Sequence, residues 1–110
     1  MTLQTKLKSL YEPITAIACD VYHLTRGDAR PPFIVWSEEG EDRSFNTDNH
    51  KAEQQLTGVI DFYTLDEFDP IADEIQAALD EEPVGYILAE VQYEDQTNLT
   101  HYQWRWWTVG

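Results

Sequence analysis

The chain has little cysteine, little positive charge and no long apolar run. Its only cysteine, Cys19, cannot form a disulfide within the chain. Lys and Arg together number 7 against 21 Asp and Glu, which gives a net charge of -14 at pH 7. A surface of that sign repels the phosphate backbone of nucleic acids, so we do not expect sequence-specific binding of DNA or RNA.

The segment from Met1 to Leu10 has no apolar core of the kind that a secretory signal requires. Neither secretion nor a membrane span is suggested by the sequence. We therefore expect a cytosolic protein that has no membrane partner.

Recognised catalytic and metal-binding patterns are also missing. The histidines His23, His50 and His101 lie far apart and lack the spacing of a metal motif. No serine lies in a Gly-x-Ser-x-Gly turn, and Cys19 falls within a strand pattern that is typical of an inert buried thiol. We predict that the chain is not an enzyme and that it holds no cofactor and no metal.

The clearest structural pattern runs from Gln55 to Leu79. In its first half alternate residues are apolar or small, which predicts a strand with one buried face: Leu56, Gly58, Ile60 and Phe62. From Phe68 the apolar spacing becomes that of an α-helix. Asp69 suits the N-cap of this helix, and Pro70 suits its first position, where no amide donor is needed. The helix is expected to lie on the sheet.

The first part of the chain predicts a helix and two strands. Thr2 to Tyr11 has leucines at helical spacing, which indicates a short helix that ends at Pro13. Ile14 to Leu24 alternates β-branched residues and predicts a strand. Phe33 to Trp36 is a short apolar run that predicts the next strand.

A polar and acidic excursion follows from Ser37 to Lys51, with at most a brief strand near Arg43 to Thr47. Phe45 is its only apolar side chain. Our hypothesis is that this segment reaches across to an adjacent subunit with Phe45 as its anchor. The alternative is that Phe45 holds the loop against its own sheet.

Two further strands, Gly85 to Glu94 and Leu99 to Val109, are interpreted as a hairpin. A two-residue turn at Thr97-Asn98 places Glu90 opposite Arg105. The alternative is a longer loop, which shifts the pairing by two residues.

Three tryptophans near the end of the chain cannot all face the same side of one strand. If Trp104 and Trp106 fill the core, Trp107 points to the opposite face. There it needs a second partner, which is either a helix of the same chain or a neighbouring subunit.

These elements predict a single α+β domain over residues 1-110, in the order helix, strand, strand, strand, helix, strand, strand. The sheet of about five strands is expected to be largely antiparallel or mixed, with both helices packed on one face or one on each side.

Four runs of the sequence resemble tail terminator or tail completion proteins of long-tailed, siphovirus-type bacteriophages and prophages: PPFIVWSEEG, SFNTDNHKAE, VIDFYTLDEFDPIADEIQAAL and HYQWRWW. The resemblance covers nearly the whole chain. Its best markers are Phe33-Ile34-Val35, Asp48-Asn49 and Asp61-Phe62-Tyr63-Thr64. None of these markers carries catalytic chemistry.

The resemblance implies a structural protein that forms a hexameric ring, caps the tail tube and presents a surface for head attachment. Its partners would be copies of itself, the tail tube protein and head-to-tail connector proteins, and it would lie at the head-proximal end of the virion tail after assembly in the host cytoplasm. Our candidate subunit-interface residues are Phe45, Asp48, Asn49 and Trp107. The alternatives are a head-to-tail connector and an acidic inhibitor that mimics DNA.

Overall fold

The structure, a computed structural model, describes residues 3-17, 19-25, 27, 29-41 and 55-108. The described residues form two helices and five strands in the predicted α+β order. In chain order they are α1 (Leu3–Thr15), β1 (Asp20–His23), β2 (Phe33–Glu41), β3 (Leu56–Thr64), α2 (Pro70–Glu81), β4 (Val84–Glu94) and β5 (Leu99–Thr108).

The five strands form one mixed sheet in the order β1-β2-β3-β5-β4. β1 runs parallel to β2, and every other neighbouring pair is antiparallel. Side chains of both helices share one apolar core with the same face of the sheet. We call this the helix face, and we call the other side of the sheet the open face. The core side chains include Ile14, Ile34, Trp36, Ile60, Phe62, Ile75, Leu79, Trp104 and Trp106.

The junction between β3 and α2 follows the predicted pattern closely. Asp69 has an extended backbone, and its Oδ1 accepts a hydrogen bond from the Ile71 amide at 2.9 Å. Pro70 occupies the start of the helix, where its missing donor costs nothing. Ile75 and Leu79 are buried, with 0% and 4% exposure. The helical spacing of apolar residues therefore placed this element correctly.

The prediction that Pro13 ends the first helix was wrong, because α1 continues to Thr15. A proline this close to the end removes only one backbone hydrogen bond. Burial of Ile14 in the core stabilises the extra turn, and the Thr15 hydroxyl donates to the Glu12 carbonyl at 2.7 Å. The predicted strand from Ile14 is correspondingly shorter and begins only at Asp20.

β2 is longer than predicted, since it continues beyond Trp36 to Glu41. Its acidic half pairs with β3 while the carboxylates stay at least partly in solvent. A bulge lies between Glu38 and Gly40, and Gly40 has a φ of 147° that suits glycine alone. The brief strand predicted near Arg43 to Thr47 lies outside the described residues.

The predicted two-residue turn of the hairpin was wrong, and the longer-loop alternative is confirmed. Residues 95-98 form the turn, so that Glu90 lies opposite Gln103 instead of Arg105. Asn98 has a φ of 59°, a left-handed conformation that asparagine tolerates, and its Oδ1 accepts from the Tyr93 hydroxyl at 2.9 Å. A bulge between Leu88 and Glu90 shifts the pairing again by one residue.

Two cross-strand pairs of glycine and tryptophan shape the sheet, one on each face. The Trp106 ring packs over Gly58 on the helix face, and the Trp107 ring packs over Gly85 on the open face. A methyl group at Gly85 would meet Trp107 ring atoms as its nearest neighbours, whereas one at Gly58 would meet both Trp106 and the Ser37 carbonyl oxygen. Trp107 is thus partly covered by its own hairpin partner.

Gly85→Ala is expected to lower the free energy of unfolding by about 1 to 3 kcal/mol, because the added methyl group overpacks against the Trp107 ring. In a Trp107→Thr background the ring is absent, and the same change should be neutral or stabilising. Urea unfolding across this double-mutant cycle measures the coupling. An equal cost in both backgrounds would contradict the Gly85 and Trp107 contact.

Candidate functional site

The outer strand β4 carries the largest group of exposed apolar side chains on the sheet. The exposed fractions of these residues are 53% for Ile87, 47% for Leu88, 52% for Val91 and 60% for Tyr93. We call these four residues the β4 strip. Ile87 projects from the open face and the other three from the helix face. Single apolar side chains on a surface need no explanation, but several on one edge strand indicate a contact surface.

The β4 strip is exposed because α2 covers only the beginning of β4. Over that beginning the Tyr86 hydroxyl donates to the Asp80 carboxylate of α2 at 2.6 Å. Beyond it, Leu88 lies opposite Trp104 and Val91 lies opposite Tyr102, so both side chains project from the helix face. Neither is covered there, and the apolar layer continues past the edge of the helices.

Each edge of the sheet offers backbone groups for pairing. Within the described part of the chain, β4 pairs with β5 alone, and β1 pairs with β2 alone. The two edges lie on opposite sides of the sheet, and the strand directions make β1 antiparallel to β4. A second copy placed beside the first by simple translation would therefore bring its β1 next to β4 in the antiparallel sense.

The open face carries a polar cluster around Asp61. Its Oδ1 accepts hydrogen bonds from His101 Nε2 at 2.7 Å and from Gln103 Nε2 at 3.0 Å. Tyr63 stacks on the His101 ring, with centroids 4.3 Å apart and planes 6° apart. The carboxylate and imidazole side chains are only 17% and 21% exposed, respectively. Together these contacts join β3 to β5.

The described contacts of this cluster orient its side chains. A carboxylate that binds one imidazole nitrogen holds the ring in place, as in many catalytic sites. The cluster's described contacts contain no serine or cysteine that could act as a nucleophile. Among the residues that the structure describes, no group of three or more His, Cys, Asp or Glu side chains converges as a metal site would require. The contacts of Asp61 link β3 to β5 through hydrogen bonds with His101 and Gln103.

A second histidine pair lies at the β1 edge. His23 Nε2 and Glu38 Oε2 are 2.8 Å apart, and the imidazole stacks on Trp36 with centroids 4.1 Å apart. Tyr11 of α1 stacks on the same indole at 4.8 Å. These contacts hold β1 and α1 together at the edge of the sheet.

The thiol of Cys19 has low nucleophilic reactivity near neutral pH. Burial, followed by the negative charges of Asp20, Asp69 and Glu74, raises the pKa of Cys19 to about 11. The nucleophilic thiolate is correspondingly scarce near neutral pH.

The structure describes only one of the four residues assigned to an interface from the sequence. Trp107 is half-buried on the open face, opposite the side of Trp104 and Trp106. Phe45, Asp48 and Asn49 lie outside the described residues, so their interface role stays a prediction.

Sequence reasoning missed the β4 strip because alternation within a strand does not show which strand takes the outer place in the sheet. The adjacent pair Ile87 and Leu88 was the available signal. Two neighbouring apolar residues point to opposite faces of a strand, so at least one of them needed cover that a helix on one face cannot give.

A comparison with protein-family models finds none that matches this chain, and a comparison with curated proteins finds no significant match. Of the two helices in the described part of the chain, neither combines the length and apolar character of a membrane span.

Asp61→Ala is expected to lower the free energy of unfolding by about 1 to 3 kcal/mol, because it leaves two partly buried donors without their acceptor. Glu39→Ala is the control on an exposed ion pair, in which Glu39 Oε1 accepts from Arg105 Nη1 at 3.1 Å, and it should cost less than about 1 kcal/mol. Chemical denaturation measures both. Equal effects would mean that the Asp61 cluster does not hold the sheet together.

Cys19 is expected to react about 100-fold more slowly with iodoacetamide at pH 8 in the folded than in the unfolded protein, because raising its pKa from 9.0 to about 11 removes most of the thiolate. The folded rate should climb with pH until about pH 11, whereas the rate in denaturant should level off near pH 9. Alkylation followed by mass spectrometry gives both profiles. A folded rate that levels off near pH 9 would contradict this environment for the thiol.

Proposed function

We propose that this protein is a structural subunit that assembles head to tail with copies of itself, and that the assembly is the ring of a phage tail terminator. The observation that carries the proposal is the β4 strip on an open strand edge, with a second open edge on the opposite side of the sheet. A ring of identical subunits requires two different surfaces that fit each other, and these edges are such a pair.

Pairing between the edges would satisfy backbone groups that have no strand partner within the described part of the chain. An antiparallel ladder from β4 to the next copy's β1 supplies hydrogen bonds, while burial of the β4 strip supplies the apolar contribution. β1 has 4 residues and β4 has 11, so the ladder would use only part of β4. The rest of the strip would pack against side chains beside β1.

Repulsion between negatively charged subunits opposes this assembly and makes it depend on the salt concentration. Each subunit carries a net charge of -14, so neighbouring copies repel one another at low ionic strength. The Debye length falls from about 30 Å at 0.01 M salt to about 10 Å at 0.1 M. Screening of the repulsion should therefore favour the assembled form.

The tail terminator role rests on the four sequence runs that resemble that family, and the described architecture is compatible with it. The marker Asp61-Phe62-Tyr63-Thr64 forms the end of β3 that leads toward α2. Phe33-Ile34-Val35 begins β2 beside it. A ring at the head-proximal end of the tail would contact the tail tube protein on one side and connector proteins on the other. In virions that contain this protein, antibody labelling is expected to mark that end of the tail.

The mass measured by light scattering is expected to rise between 0.01 M and 0.1 M salt for the wild type, and to stay that of a monomer for Val91→Lys. A lysine in the middle of the β4 strip places an unpaired charge in the contact and blocks edge pairing. Electron microscopy of the wild type should then show closed rings, and six subunits per ring is the number that the resemblance implies.

The matched control is Leu65→Lys, which makes the same change of charge at an apolar residue that is 57% exposed and follows the central strand β3. It should assemble as the wild type does. A wild type that stays monomeric at all salt concentrations, or a Val91→Lys variant that assembles normally, would refute the proposed interface. Growth without limit in place of a plateau would indicate a filament rather than a ring.

A further inference from the structure

The loop between β3 and α2 displays the most exposed large apolar side chain among the described residues. Phe68 is 88% exposed, and Leu65 at the start of the same loop is 57% exposed. Asp66 and Glu67 between them are also exposed. We call Leu65–Phe68 the β3–α2 loop. It follows the central strand β3, which one other strand separates from each edge strand, so it is not part of the edge pairing proposed above.

Hydrogen bonds of two buried side chains restrain the backbone of the β3–α2 loop. The buried Thr64 hydroxyl donates to Asp69 Oδ2 at 2.6 Å and accepts from the Asp66 amide at 3.1 Å. Asp69 Oδ1 accepts from the Ile71 amide, and both Thr64 and Asp69 are at most 5% exposed. These bonds restrain the backbone of the loop in the absence of a partner, which reduces the backbone entropy that binding would cost.

Phe68 itself adopts a backbone conformation that disfavours it. Its φ is 55°, in the left-handed region where glycine or asparagine is the usual occupant. A phenylalanine there gains little packing within the chain, since its ring lies in solvent. Stability would be served better by glycine, so packing among the described residues does not explain the aromatic ring at this position.

The negative charges around the loop indicate which kind of partner would fit it. Asp66 and Glu67 lie between the two apolar residues, and Asp73 in the first turn of α2 adds another exposed carboxylate. These local carboxylates disfavour a partner surface that is itself acidic, such as an anionic membrane. A segment with an apolar stripe bordered by lysine or arginine complements both features.

We propose that the β3–α2 loop is a docking site for a basic amphipathic segment of a different protein. The apolar stripe of that segment packs on Leu65 and Phe68, and its cations face Asp66 and Glu67. The site is preformed, and Phe68 is its central contact.

The proposal is tested with a synthetic amphipathic helix of Leu and Lys, titrated into ¹⁵N-labelled protein while amide shifts are followed. Saturable binding should shift the amides of residues 65-69 first, weaken with added salt, and vanish for the same peptide with Glu in place of Lys. Phe68→Ser should weaken binding by about 10-fold or more, as loss of a central aromatic contact does. Equal binding by Phe68→Ser, or shifts centred elsewhere, would overturn the proposal.

Two further variants separate docking from folding. Leu24→Ser is the matched control, because Leu24 is also left-handed, with a φ of 72°, and is 61% exposed. It should bind the peptide as the wild type does. Phe68→Gly should lose binding yet melt a few degrees higher, because glycine fits the backbone without strain. A lower melting temperature would assign Phe68 a structural role and overturn the proposal.

The same variants distinguish this site from the assembly interface. Phe68→Ser should keep the salt-dependent mass of the wild type, and Val91→Lys should keep peptide binding. If Phe68→Ser instead stays monomeric, the β3–α2 loop is a contact between copies and the proposal fails. Binding of anionic lipid vesicles in preference to the cationic peptide would equally exclude it.

Discussion

The position of β5 between β3 and β4 is the constraint on which the rest of the structure depends. Trp104 and Trp106 of this strand are 1% and 3% exposed, and Trp104 Nε1 also donates to Gln76 of α2 at 3.0 Å. Burial of two indole rings favours the inner position strongly. As a consequence β4 becomes an edge strand, and its apolar side chains extend beyond the helices.

Polar and apolar contacts have different roles in this molecule. Paired polar groups hold adjacent elements together: Asp61 with His101 joins β3 to β5, and Thr64 with Asp69 joins β3 to α2. The exposed apolar groups lie at the periphery, on β4 and on the β3–α2 loop. These two exposed apolar groups are the basis of the two proposals. The β4 strip is proposed to contact copies of the chain, and the β3–α2 loop is proposed to contact a different protein.

Prediction from the sequence succeeded where a local pattern and a tertiary contact agreed. The strand from Leu56 and the helix after Asp69 were both predicted, because alternation, helical spacing and capping chemistry all lie within a few residues of each other. Prediction failed at Pro13 and at the hairpin turn. There the outcome depended on burial of Ile14 and on which residues of β5 meet β4, and neither is a local property.

By itself the sequence determined the α+β class, the order of the elements, the net charge and the face of Trp107, since these follow from composition and from fixed side-chain periods. Only the tertiary structure decided that β5 takes the inner place, that Arg105 pairs with Glu39 instead of Glu90, and that Val91 stays in solvent. The physical reason is that residue spacing specifies which side of a strand a side chain occupies, whereas only the packed sheet specifies what covers it.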